Sequence, residues 1–331
     1  MDSRRAAQSR PGRFLSSLAL LAAAAFCSPA WSQAYPSKPV RMVVPFGAGG
    51  VTDILARVLA ERMSANWGQP VIVEPRPGGN TMVGTENVLN SPADGYSLLM
   101  VTQTHAANAA IYPDLRWDPA RDFAGAGLFA RSVPILAVPM SLPVKNLAEF
   151  VALAKAQPGK LNYGHSGIGS PPHLSFELFK RAAGIDVQPV PYKGNANIMT
   201  DLLSGQLSAT LLSAVSTTPH ARAGKVRQLA IMDAKRTKAF PDLPTVVEAG
   251  YPDAQAQSWF GVIMHGKTPR EIVRRVSDEI EKVTKEPGMA ERLEKAGAEL
   301  SFLNWQEMDA LIRKDIATWT RVVKEAGIKP E

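Results

Sequence analysis

The chain has 331 residues, 45% hydrophobic and 20% charged, a composition that excludes a disordered chain and suffices for about two domains with buried cores. The formal net charge is +7; residues 1–34 hold +3 of it, through Arg4, Arg5, Arg10 and Arg13 against Asp2, which leaves +4 on the remainder. That small, scattered excess suits an anionic small molecule and argues against a nucleic-acid partner.

The four arginines precede an apolar run over residues 14–26, followed by the small-x-small triplet Ser32-Gln33-Ala34. This is the layout of a secretory signal peptide cut after Ala34, with a cut after Ala30 as the alternative, and the run is too short to span a membrane. Cys27, the only cysteine, falls inside that segment. Its bulky neighbour Phe26 weighs against lipid attachment, and the remaining chain has no thiol for a disulfide, a nucleophile or a metal ligand.

From Tyr35 the order is strand, helix, strand, helix, strand, which predicts a parallel sheet covered on both faces. The first strand, residues 42–46, runs into the turn Gly47-Ala48-Gly49-Gly50. A helix follows, with Ile54, Leu55, Val58 and Leu59 at helical spacing, Thr52 as its cap and Asp53 in its first turn. Strands are predicted at 71–74 and 96–102, with a helix capped by Asn80 or Thr81 between them; Gln103, Thr104 and His105 place polar side chains at the end of the third strand. Ligands gather at the carboxyl ends of parallel strands, so the loops at 46–52, 77–81 and 102–105 are expected to share one edge.

A second unit follows the same plan. Strands are predicted at 135–139, 161–163, 187–191, 207–212 and 226–232. Asn146 and Glu149 have the spacing that opens a helix. The Gly/Ser-rich loop 164–172 enters another helix containing Leu174, Phe176, Leu178 and Phe179, and Tyr192 precedes a third over 196–203. The strand 258–265 is expected to run back beside 135–139, so that two strands cross between the units and form a hinge. Thr268-Pro269-Arg270-Glu271 reads as a capping box with proline at the first helical position, and a last helix over 305–326 is assigned to the first unit. The expected division is residues 35–141 and 258–331 in one domain and 142–257 in the other.

The two glycine-rich loops carry the candidate chemistry. Each stands at a helix start, where backbone N–H groups lack intrahelical partners and meet the positive end of the helix, making an anion seat. In the first loop Asp53 is assigned to ordering the turn. In the second, Ser166, Gly167, Gly169 and Ser170 form the seat. A charge-assisted hydrogen bond contributes about 1.5–3 kcal/mol and a helix terminus about 0.3–1 kcal/mol. Four or five such bonds reach the roughly 8 kcal/mol of micromolar affinity, with Lys193 as a candidate additional clamp.

Rival chemistry fits less well. Gly47 and Gly49, with Glu74 ending the next strand, partly match a dinucleotide fingerprint, but Thr52 stands at its third glycine and Pro45 precedes the turn. The run Gly164-His165-Ser166-Gly167-Ile168 departs from a nucleophile elbow at Ile168. The five histidines show no metal-ligand spacing, so no catalytic residue, metal or cofactor is assigned. Trp259 and Phe260 are read either as an apolar lid or as core.

Several runs together, YPSKPVRMVVPFGAGGVTD at 35–53, EPRPGGNTMVGTENV at 74–88, SPADGYSLL at 91–99, PGKLNYGHSGIGSPPHL at 158–174, VPYKG at 190–194 and LPTVVEAGY at 243–251, resemble the extracytoplasmic solute receptors of the tripartite tricarboxylate transporter family, the Bug receptors. The resemblance implies a two-domain α/β periplasmic binding protein of type II, a Venus-flytrap that closes over a small carboxylate and hands it to integral-membrane permease subunits. It places ligand contacts at Phe46, Gly47, Ala48, Gly49, Gly50 and Thr52 and at Ser166, Gly167, Gly169 and Ser170. Gly79, Asn80, Gln103, Thr104 and Tyr192 complete the pocket. Gly47 departs from the family's first loop, and His165 stands where relatives carry a small residue, which suggests a role in ligand choice. A monomer in the periplasm is expected. The alternatives are a secreted enzyme on the same scaffold, a nucleotide-linked dehydrogenase or a serine hydrolase, and a receptor used for signalling.

Overall fold

The computed structural model describes residues 35–192, 194–237 and 240–328; the expected signal peptide, Cys27 and Lys193 lie outside them. Strands β1 (Val40–Val44), β2 (Val71–Pro75) and β3 (Ser97–Val101) are parallel, with Val40 opposite Val71 and Met42 opposite Leu98. Valines and leucines in β1 and β3 run without polar alternation because both faces are covered. Helix α1 (Val51–Trp67), which ends on left-handed Gly68, and α2 (Met82–Leu89) make the connections. Helix α3 (Thr104–Ile111) follows β3 directly.

The sheet continues through antiparallel strands β10 (Ser258–His265), β4 (Phe123–Ser132) and β11 (Glu299–Leu303), in the order β11-β4-β10-β3-β1-β2. The second sheet has the order β7-β6-β8-β5-β9, from β5 (Pro134–Pro139), β6 (Asn162–His165), β7 (Gln188–Pro191), β8 (Ala209–Ser213) and β9 (Val226–Ile231). Its helices are α4 (Leu147–Ala156), α5 (Pro171–Ala183), α6 (Asn195–Ser204) and α7 (Ala214–Arg222). Asn146 caps α4 by accepting the Glu149 N–H. The architecture is the expected two-domain α/β fold of a periplasmic binding protein.

Three expectations need correction. Strand β10 pairs with β3 and β4, not with 135–139, because β5 is already flanked by β8 and β9. The first crossing therefore falls between β4 and β5, and the strand within 135–139, grouped with the first domain above, belongs to the second sheet. Helix α8 (Arg270–Thr284) has Pro269 at its cap position with no side-chain cap, and the Thr268 hydroxyl is buried without a partner. The capping box opens α10 (Trp305–Ala326) instead, where Asn304 accepts from Gln306 and Glu307 and the Glu307 carboxylate accepts the Asn304 N–H.

Helix α10 is not confined to the first half. Met308 and Ile312 pack into the core of the first sheet, whereas Trp319, Val322 and Val323 pack into the core of the second. Glycines in β4 and β10 let it lie close: a Cβ on Gly125 would stand 2.9 Å from Asp309 Oδ1, and one on Gly261 would stand 2.6 Å from Met308 Cε. Asp309 also accepts the Gly125 N–H at 2.7 Å. Helix α3 crosses too, since Ala106, Ala107 and Ile111 lie in the second core.

Two consequences are measurable. A methyl group on Gly84 in α2 would stand 2.7 Å from Pro45 Cβ and 3.1 Å from the Arg76 carbonyl oxygen. Gly84→Ala therefore lowers stability by about 1–3 kcal/mol, read from urea midpoints. His105 is buried, donates from Nε2 to the Pro119 carbonyl at 3.2 Å and meets Phe123 edge-on. Burial pushes it down to about 4, from an ordinary 6.5. The unfolded chain thus binds the extra proton, so stability is full above pH 6.5 and declines toward pH 4. The loss at the lower end is about 3 kcal/mol, and His105→Gln flattens that part of the thermal-melting pH profile.

Candidate ligand-binding site

A cavity of about 820 Å³ opens between the two sheets. Its wall gathers four helix starts: Gly49 to Thr52 at α1, Ser170 to Pro172 at α5, Gly194 to Ala196 at α6, and Ser213, Val215 and Ser216 at α7. The parallel strands bring them together, because each helix begins where β1, β6, β7 or β8 ends. Among the described lining residues no side chain is acidic, and Lys295, at the end of α9 (Met289–Lys295), is the one cation. Its ammonium is paired with Glu291 at 2.7 Å.

The first loop presents Phe46, Gly47, Ala48, Gly49, Gly50 and Thr52 to this cavity. Gly49 adopts φ 79°, a left-handed conformation in which glycine carries no steric penalty. Asp53 is buried behind the wall, where its carboxylate accepts the Gly49 N–H at 3.0 Å and is gripped through both oxygens by Arg57. The helix is capped at Gly50 rather than Thr52, and Val51 and Thr52, whose N–H groups have no intrahelical acceptor, line the cavity. Arg57 offsets the one negative charge close to them.

The second loop works differently. Ser166 and Ser170 line the cavity, but Pro171 and Pro172 occupy the first helical positions and have no N–H to offer. The Ser170 N–H is used on the Gly167 carbonyl and the Gly169 N–H on His173 Nδ1 at 3.1 Å. Hydroxyls thus replace amides as the donors on this side; Ser170 Oγ is buried without a protein partner. His173, pushed down to about 3 by burial, then by His165 and Lys180, stays neutral and keeps accepting from Gly169. With Nδ1 so engaged, its Nε2 carries the ring proton, and it offers Ser166 no base.

The other sequence-predicted residues stand behind the wall. Gln103 Nε2 donates to Ser258 Oγ at 3.1 Å, and Thr104 Oγ1 donates to the Gly169 carbonyl at 3.1 Å. A Cβ on Gly169 would stand 2.5 Å from Ile111 Cδ1 and 2.9 Å from Asn80 Nδ2. Gly79 and Gly167 supply turn backbone at φ 52° and 109°. His165 is buried beside Tyr163 and 4.5 Å from the His173 ring, away from the cavity. Tyr192 turns its hydroxyl to Asp201 Oδ2 at 2.6 Å. Phe260 lines the cavity, while Trp259 is in the first core with its indole N–H on Asp315.

Asn80 and its neighbour Thr81 also line the cavity, at φ 47° and 75°. Such left-handed non-glycine residues cost about 1–3 kcal/mol each, the more so for a β-branched threonine. Sequence reasoning passed over Thr81, Thr102, Ser213 and Ser216 as contacts. The strand-end rule applied to β8 points to Ser213 and Ser216. Among the described residues no group of three or more metal-ligating side chains is assembled.

The sequence profile described as the tripartite tricarboxylate transporter family receptor matches residues 55–328. BugT of Bordetella pertussis is 31% identical over 311 residues, covering 93% of this chain and 95% of BugT. A protein of R. palustris solved with adipate is 38% identical at a TM-score of 0.81, covering 90% of this chain and 100% of that one. MatC from Rhodopseudomonas palustris, solved with bound malate, is 29% identical at a TM-score of 0.77, covering 87% of this chain and 100% of MatC. On this profile match and these relatives, the chain belongs to the family of tripartite tricarboxylate transporter receptors, which are solute-binding proteins.

Proposed function

We propose that this receptor captures a small carboxylate in the periplasm, between its two domains, and delivers it as a monomer to the permease subunits of a tripartite tricarboxylate-type transporter. The observation that carries the reading is the composition of the cavity wall, where helix starts from both sheets converge and no acidic side chain lines the described surface. Such a wall favours an anion through oriented dipoles without a dedicated counter-cation. The adipate and malate bound to structural relatives support the same ligand class. The contacts we assign are the α1 loop, Asn80 and the Ser166 and Ser170 hydroxyls, with Asp53, Gln103, Thr104 and His165 holding those loops from behind.

Purified protein lacking residues 1–34 should show a thermal shift with one or more acids among malate, succinate, adipate, citrate and benzoate. At a hundredfold excess over Kd the gain is about 2.7 kcal/mol. Its elution on a sizing column should match one chain. No shift with any acid, together with a shift with NAD, would overturn the carboxylate reading in favour of a nucleotide-linked enzyme.

A further inference from the structure

Helix α3 holds the turn at 80–81 through one side chain. Asn108, buried and outside the cavity wall, accepts from Asn80 Nδ2 at 2.8 Å through its Oδ1. Its Nδ2 donates to the Asn80 carbonyl at 2.8 Å and to Thr81 Oγ1 at 3.2 Å. The amide orientation follows from chemistry, since a backbone carbonyl only accepts. Thr81 Oγ1 therefore has one lone pair engaged by an N–H, and its own proton finds no acceptor among the described residues. That hydroxyl belongs to a residue that lines the cavity and is only 6% exposed. In the same cavity wall the Ser170 hydroxyl is likewise buried and without a protein partner.

We propose that Thr81 is a ligand-contacting donor, and that Asn108 is the positioning residue that fixes both its left-handed backbone and the donor polarity of its hydroxyl. The inference rests on the carboxylate reading and sharpens it. A corner holding two hydroxyl protons that find no acceptor among the described residues suits an ionised carboxylate, whose oxygens can accept from both. The same helix links the corner to the second loop, because Thr104 holds the Gly169 carbonyl, and a Cβ on Gly169 would stand 2.9 Å from Asn80 Nδ2. Asn108 thereby places donors from both domains in one register.

Isothermal titration of protein lacking residues 1–34 with malate, succinate, adipate, citrate and benzoate tests this. Thr81→Val keeps the shape and removes the hydroxyl; Kd for the bound acid should rise about tenfold to a hundredfold, and Thr81→Ser should restore most of the affinity. Asn108→Asp replaces the polarising donor with an acceptor and should weaken binding as well. Because Asn108 acts in part through the Thr81 hydroxyl, the double variant Thr81→Val with Asn108→Asp should lose less affinity than the sum of the two single losses. A purely structural role for Asn108 would give additive losses and would overturn its assignment. Should Asn108→Asp fail to fold, the Thr81→Val and Thr81→Ser pair decides alone, and an unchanged Kd in Thr81→Val overturns the proposal. Wild-type protein that binds none of the acids overturns the carboxylate reading and this inference together, whereas wild-type binding with an indifferent Thr81→Val overturns only this inference.

Discussion

The seating of the second glycine-rich loop on helix α3 is the constraint from which the site's geometry follows. Gly169 has φ 70°, and a Cβ there would stand 2.5 Å from Ile111 Cδ1, so both backbone and space exclude a side chain. Helix α3 leaves the first sheet at the end of β3, yet its apolar residues complete the core of the second. The two halves are thus packed together on this side and not merely tied by the strand crossings. Helix α10, at about 33 Å, repeats the arrangement with Met308 in one core and Trp319 in the other. Any opening of the cleft has to pivot about these two helices, because separating them would expose buried apolar surface.

A second regularity is electrostatic. The charges nearest the cavity are compensated where they stand: Asp53 by Arg57, and Lys295 by Glu291. The wall is left with dipoles, amides at α1 and hydroxyls at α5, and the division between them has a sequence cause. Gly50 and Val51 leave the first-turn N–H groups of α1 available, while Pro171 and Pro172 remove those of α5. Among the described lining residues such a wall offers several moderate hydrogen bonds and no unpaired counter-charge, and so avoids the desolvation cost that a fixed ion pair imposes. That suits a receptor, which has to release what it holds.

The strand, glycine turn and helix at residues 40–67 were legible because the hydrophobic period changes sharply there. Strand β4 was not: Gly125 and Gly127 interrupt the apolar pattern of its first half, and what crowds them comes from far along the chain, Met308 and Asp309 of α10 at Gly125 and Leu303 and Ile280 at Gly127. Helix α3 was hidden because it is short, follows β3 without a break and buries its face in the other domain. Helix α7 carries Pro219 and little apolar periodicity. For the site, sequence pointed to loops that line the cavity but not to which way their side chains face. Asp53, Thr104 and His165 sit in those loops or beside them and turn inward, while Thr81 lines the cavity; that distinction is set by tertiary packing alone.

The inward-facing residues also explain why the loops can be rigid without being charged. His173 accepts the Gly169 N–H only while neutral, and its burial keeps it so far below physiological pH. His165, its ring tilted 36° to that of His173 at 4.5 Å between centroids, receives the Tyr192 N–H on its carbonyl, so its bulk acts through the loop's position. The rest of the wall includes the apolar side chains of Phe260, Pro134 and Leu211. On the proposed reading, carboxylate recognition and ligand choice fall to different atoms, the first to backbone and hydroxyl donors at helix starts, the second to apolar side chains between them.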